Sequence, residues 1–197
     1  MANVTTRDRI LDSALTLFSE KGFDGVGVDL IAEKAGLKGP SLYKHFKGKE
    51  EILDTLIDRV EEYYESRFGS EIHPGQIPSS MEELVDVSLK RIQFTMKDDA
   101  IQRTRRILTL EQFRNQRISG LTSRHNLEGV KGMYRKIFQE MMAAGVMRQA
   151  DPEILALSFT APITLLIQMY DREPDREAEI MERIQNYFRF FAKEYAV

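Results

Sequence analysis

Cysteine is absent from this chain, so neither a disulfide framework nor a thiolate metal site can form. Histidine is scarce: His45, His73 and His125 lie on unrelated segments and make no zinc-binding spacing. There is no glycine-rich phosphate loop and no Gly-x-Ser-x-Gly elbow, and the carboxylates scatter in the manner of solubilising charge. These absences point away from catalysis and from a resident metal or cofactor. The amino terminus shows no positive segment followed by an apolar stretch, so no secretion signal is read and a cytoplasmic location is expected. Long apolar runs are missing as well. The nearest, Ile154 to Tyr170, has no charged residue but includes Ser158, Thr160, Pro162, Thr164 and Gln168. A membrane span needs about 20 mostly apolar residues, so this run reads as a helix buried between other helices, with no membrane partner. No convincing strand, internal repeat or low-complexity run is present.

What the chain does have is concentrated near its amino end. Ile31 to Phe46 reads as two short helices joined by a tight turn. Ala32 and Ala35 are small enough to admit a crossing helix. Gly36 stands where a helix end wants a left-handed residue, and Leu37 anchors the turn. Pro40 suits a first helical position, because its missing N–H would have no partner there. Leu42 and Phe46, four apart, share one inward face. That leaves Lys38, Pro40, Ser41, Tyr43, Lys44 and His45 on or near the outward side. Lysine can meet guanine edges or phosphates, serine can contact either, and tyrosine and histidine suit phosphates. Two helices this small cannot stand alone, so the plausible use of the second, Pro40 to Phe46, is entry into a DNA groove.

The flanking segments fit the same design. Thr6 to Lys21 is expected as a helix, with Thr5 and Asp8 forming a capping box and Gly22 stopping it. Ile10, Leu11, Ala14, Leu17 and Phe18 recur along it at helical spacing. A further helix opens at Gly48-Lys49-Glu50-Glu51, with Ile52, Leu53, Leu56, Ile57, Val60, Tyr63 and Tyr64 along one side. Its acidic first turn complements the helix dipole. Lys49 opposes that preference, so a phosphate is a natural reason for it.

The ordered set Phe18, Gly22-Phe23, Ile31-Ala32, Ala35-Gly36-Leu37, Leu42 to Phe46 and Lys49-Glu50 resembles the N-terminal domain of the tetracycline-repressor (TetR) family of bacterial transcription regulators. The resemblance covers roughly the first fifty residues. It implies that Tyr43, His45 and Lys49 bind backbone phosphates and that residues around Lys38, Pro40, Ser41 and Lys44 read bases. Two positions depart from the family pattern. Gly27 stands where a capping threonine is common, at a cost of only a few tenths of a kcal/mol. Pro40 replaces a small flexible residue and cannot donate a backbone hydrogen bond to DNA. Base preference there must rest on apolar contact.

The net charge of −3 argues against wholesale wrapping of nucleic acid. Between Gly36 and Lys49, however, stand Lys38, Lys44, Lys47 and Lys49 with no acidic residue. An acidic remainder would turn this basic tip toward DNA, with salt-dependent affinity.

The rest reads as helices: Met81 to Lys97, Ala100 to Arg117, Thr122 to Ala144, Asp151 to Asp171 and Pro174 to Tyr195, after a loop from Gly69 to Ser80. The expected fold is all-α, about nine helices. A three-helix helix-turn-helix domain (1–48) precedes a helical effector-binding and dimerisation domain (49–197). The unusually apolar last two helices suit an interface between two copies, which the resemblance supports, and a symmetric dimer would offer two recognition helices to one DNA face. The resemblance also implies a small-molecule effector cavity, with Phe94, Met96, Phe113, Met133, Ile137, Met141 and Phe159 as candidate walls. Singly, such residues are more often core. Arg103, Arg105, Arg106, Arg114 and Arg117 read as a solvated helix face before an anion site. The function expected is a sequence-specific transcriptional regulator, a repressor released from a palindromic operator by a small molecule. A non-specific architectural DNA binder and a helical enzyme are the alternatives.

Overall fold

The computed structural model describes residues 4–68, 77–123 and 129–197. Most of the expected 69–80 loop lies outside the described residues, as do His73, His125 and the side chains of Val60, Tyr64 and Arg117. Among the described residues the protein is all-helical, with an isolated bridge between Met147 and Ala196 in place of any strand. The helices are α1 (Thr6–Lys21), α2 (Val28–Lys34), α3 (Gly39–Leu42), α4 (Lys49–Phe68), α5 (Met81–Lys97), α6 (Asp99–Glu111), α7 (Gln116–Ser123), α8 (Val130–Ala143), α9 (Pro152–Arg172) and α10 (Glu177–Tyr195).

One expected helix is two. The stretch Ala100 to Arg117 breaks after Glu111, because the side chain of Asn115 accepts the Ile118 N–H (3.3 Å) and starts α7 afresh. Asparagine is a favoured N-cap, and apolar spacing that runs across a break hides it. Of the expected helix from Thr122 to Ala144, α8 supplies Val130–Ala143, and residues 124–128 lie outside the described residues.

The chain parts into two compact units, residues 1–67 with 99–119, and residues 68–98 with 120–197. The first is thus larger than the 1–48 domain read from the sequence. In it, α1 packs against α2 and α6, and α2 against α3. Ile10, Ala14, Phe18, Ile31, Leu42, Phe46 and Ile52 are buried at its centre. The capping box of α1 is complete: Asp8 N–H donates to Thr5 Oγ1 and Thr5 N–H donates to Asp8 Oδ2, both at 3.1 Å. The Thr5 hydroxyl and then Arg59, 2.8 Å away, hold the Asp8 carboxyl at about 2, below its ordinary range.

The second unit is built on apolar volume. Tyr134 and Phe138 of α8, Phe159 of α9, and Phe188 and Phe191 of α10 interlock with ring centroids 4.7–5.8 Å apart. The geometry suits aromatic pairs, which prefer offset or edge contacts. One buried polar pair crosses this core, with the Tyr134 hydroxyl donating to Ser88 Oγ at 2.9 Å.

Helix α9 is long and apolar enough, by length and composition, to cross a membrane. Its side chains divide instead between two surroundings. Leu155, Ala156, Phe159 and Ile163 lie in the core, whereas Ile154, Leu157 and Leu165 are exposed on the single chain. The expectation of a helix buried all round therefore holds for one face. Pro162 sits inside α9. Lacking an N–H, it leaves the Ser158 carbonyl without its helical donor. The Tyr187 hydroxyl of α10 donates to that carbonyl instead.

Candidate nucleic-acid interface

The helix-turn-helix begins with the way α2 stops. Leu37 N–H donates to Ala32 O at 2.8 Å and Gly36 N–H to Glu33 O at 3.0 Å. This is the paired closure of a Schellman motif, which requires a left-handed residue at the position Gly36 occupies. Gly36 has φ +70°, as expected from its place in the sequence. Gly27 precedes α2 with no side-chain cap, so the first-turn N–H groups there depend on backbone and solvent.

Helix α3 is shorter than the Pro40 to Phe46 expected. It runs Gly39–Leu42 and then tightens: His45 N–H donates to Leu42 O (2.9 Å), as does Phe46 N–H (3.1 Å). The chain stays wound to Phe46, with the Leu42 carbonyl shared between an i→i+3 bond from His45 and an i→i+4 bond from Phe46, a mixture common at helix ends. Leu42 and Phe46 are buried as their spacing requires. Lys38, Pro40, Tyr43 and Lys44 are exposed, Tyr43 at 58%, while Ser41, His45 and Lys49 are half-buried. The seven expected DNA-contacting residues thus fall within one short segment and the helix start beside it. Lys47, also exposed, has its backbone N–H held by Glu51 Oε2 at 2.6 Å.

Lys49 has a role that its sequence position does not disclose. Its ammonium donates to Phe23 O at 2.9 Å and lies 4.3 Å from the centre of the Phe23 ring. Phe23 N–H in turn donates to Oε1 of Glu111, a carboxylate on α6 only 3% exposed, at 2.9 Å. The peptide segment after α1 is therefore gripped on its N–H by Glu111 and on its C=O by Lys49. Gly22 leaves room for this grip. It has φ +73°, and a Cβ there would lie 3.1 Å from Glu111 Oε1. Arg103 adds a second tie between α6 and α1, donating to Thr16 Oγ1 at 2.8 Å while pairing with Asp99 at 2.7 Å.

Sequence reasoning missed Glu111 because its partner is 88 residues away and no local pattern marks it. It also missed Arg7, whose guanidinium lies 4.4 Å from the centre of the Phe46 ring. Of the arginines from 103 to 117, Arg103 is committed to α1 and to Asp99, while Arg106 and Arg114 are exposed.

The expected effector walls separate. Met96, Ile137, Met141 and Phe159 are buried in the core of the second unit, Met133 packs against it, and Phe94 is half-buried. Phe113 belongs to the first unit and is 91% exposed in the turn after α6. The break at Asn115 puts it on a turn where a helix was expected.

Residues 10–56 match the family model described as bacterial regulatory proteins, tetR family. Over 58 residues the chain is 43% identical to the negative transcriptional regulator IcaR of the biofilm operon icaADBC in Staphylococcus epidermidis, a match covering 29% of this chain and 31% of IcaR. With the Staphylococcus aureus IcaR (strain Newman) it shares 47% identity over 51 residues, 26% of this chain and 27% of that protein. The aligned part is thus under a third of those relatives' length. Among solved structures, SmeT, the repressor of the Stenotrophomonas maltophilia multidrug efflux pump SmeDEF, superposes with TM-score 0.73 at 19% identity over 98% of this chain and 91% of SmeT. A SmeT–triclosan complex gives 0.74 at 22% identity over 98% and 92%. Salmonella enterica GusR gives 0.68 at 19% over 98% of both chains. At these identities the likeness is one of fold, and it extends over the whole chain where the sequence matches do not. Residues 10–56, with the helix-turn-helix geometry within them, are thus similar to the amino-terminal domain of the tetR family of bacterial regulatory proteins, and the remainder of the chain shares the fold of solved structures such as SmeT.

Proposed function

We propose that this protein is a sequence-specific DNA-binding transcriptional regulator, a cytoplasmic homodimer that represses from a palindromic operator and is released by a small-molecule effector. The observation that carries the reading is the exposed basic turn from Lys38 to Lys47, which contains no acidic residue. In this reading Lys38, Pro40, Ser41 and Lys44 face bases, and Tyr43, His45 and Lys49 face phosphates. The exposed apolar residues Ile154, Leu157 and Leu165 of α9 and Phe190 of α10 support a second copy covering that face. Two copies then present half-sites roughly 34–36 Å apart or a multiple of that spacing. The core residues Met96, Met133, Ile137, Met141 and Phe159, with Phe94, remain the proposed surroundings of the effector. Methionine there adapts readily to varied shapes. An effector that prefers the geometry with misplaced recognition helices weakens DNA binding, and DNA weakens effector binding equally. Helix α4, which starts at Lys49 beside the basic turn, is the proposed lever. No catalytic step is part of this reading.

Selection of bound fragments from random DNA tests it, and a recovered palindrome is the expected result. Lys44→Ala then lowers affinity for the selected duplex. If Lys44 meets phosphate, the salt slope falls by about one per contact. If it reads guanine, preference at one position relaxes at a cost of about 1–3 kcal/mol. A non-specific architectural binder would discriminate against random DNA by far less than the about thousandfold expected of a regulator.

A further inference from the structure

We propose that Arg7, at the start of α1, is an additional DNA-phosphate contact, held ready by the aromatic ring that closes the recognition turn. The inference rests on the DNA-binding reading above. Arg7 is exposed, yet its guanidinium is not free to wander, since it lies 4.4 Å from the centroid of the Phe46 ring. That is well inside the range of a cation–π contact. Phe46 itself is only 2% exposed and immediately follows Tyr43-Lys44-His45. Its backbone is fixed from both sides, by its own N–H bond to Leu42 O at 3.1 Å and by the bond from the next N–H, of Lys47, to Glu51 at 2.6 Å. A guanidinium seated on such a ring is anchored to the basic turn, although it comes from another helix.

The chemistry of the anchor matters. An arginine stacked on a ring keeps the N–H donors along its planar edge available, and that fork matches a phosphate. An ordered guanidinium also loses less rotamer freedom on meeting its ligand than a solvated one. The adjacent carboxylate is not a competitor, because Asp8 is engaged by Thr5 at 2.6 Å and by Arg59 at 2.8 Å. Arg7 thus extends the run of Lys38, Lys44 and Lys47 with a fourth cation contributed by α1.

The test uses the full chain and the duplex it selects from random DNA, with affinity measured from low to moderate salt. Arg7→Met keeps an apolar cover over Phe46 and removes the charge; Arg7→Lys keeps the charge. The expected result is that Arg7→Met weakens binding roughly tenfold at low salt, as for loss of one charge-assisted hydrogen bond. It also lowers the log–log salt slope by about 0.9 for each subunit bound, with sequence preference unchanged. Arg7→Lys retains most of the slope. Wild-type affinity for Arg7→Met, or a loss with an unchanged slope, overturns the inference while leaving the DNA-binding reading intact, provided Lys44→Ala still weakens binding. A protein that selects no duplex overturns both.

Discussion

The first unit is organised by backbone-specific contacts and the second by apolar volume. In the first, the positions that matter are a left-handed Gly36, a complete capping box at Thr5, and the residue Phe23, held on its N–H by Glu111 and on its C=O by Lys49. In the second, five interlocked aromatics fill the space between α8, α9 and α10. The difference has a physical root. A short helix-turn-helix has little apolar surface to bury, so orientation must come from turns and hydrogen bonds, which tolerate few alternatives. A three-helix aromatic core tolerates many sequences of similar volume. Under the function proposed above, recognition of a fixed ligand such as DNA would fall to the former and accommodation of small molecules to the latter.

The contrast is sharpest in the size of the mutational effects it implies. Phe159→Ala is expected to cost about 3–5 kcal/mol in denaturant unfolding, because it empties the centre of the aromatic cluster. Phe159→Leu loses far less. Equal losses for the two would mean that specific ring contacts, not volume, sustain the second unit.

Glu111→Ala probes the first unit by removing almost no apolar surface. It strands the Phe23 N–H and is expected to cost about 1–3 kcal/mol. Glu111→Gln keeps an oxygen acceptor and recovers most of that. If glutamine is as damaging as alanine, the hydrogen bond to Phe23 is not what Glu111 supplies.

Smaller still is Tyr187→Phe, at about 1 kcal/mol or less, since the Ser158 carbonyl it satisfies lies near the surface. The informative measurement is the double-mutant cycle with Pro162→Ala. Once residue 162 has an N–H of its own, the effect of Tyr187→Phe shrinks. An undiminished effect would separate the tyrosine from the proline.

The smallest effect is a pH dependence at Asp8. Its folded-state value of about 2 lies below its unfolded value. Its contribution is therefore fully present above the ordinary carboxylate range and is lost as pH falls through about 2. Thermal melts of Asp8→Asn and the parent chain are expected to differ at neutral pH and converge toward pH 2. A difference that persists there would point to packing and not charge.

Legibility followed the same division. In the first unit, Thr5, Gly22, Gly36 and Pro40 each mark a backbone state that few residues adopt, so the ends of α1 and α2 could be read directly. Even there the recognition helix proved shorter than read, because the tightening after Leu42 leaves the side-chain spacing unchanged. In the second unit, periodicity located α5, α9 and α10; in the first it did not show the break before α7, where a single asparagine outweighed a continuous apolar pattern. Phe113, a candidate wall of the effector cavity by its place in that pattern, lies exposed.

By itself, the order of residues determined an all-helical chain, the turn of the helix-turn-helix and the lysines clustered beside it, since caps, turn glycines and apolar period act over a few residues. Only the tertiary structure decided that Glu111 reaches Phe23, that Arg7 covers Phe46, and that Tyr187 completes the helix Pro162 interrupts. Each of these joins groups far apart in sequence. Their hydrogen-bonding and charge requirements can be met by many partners until packing brings one of them within reach.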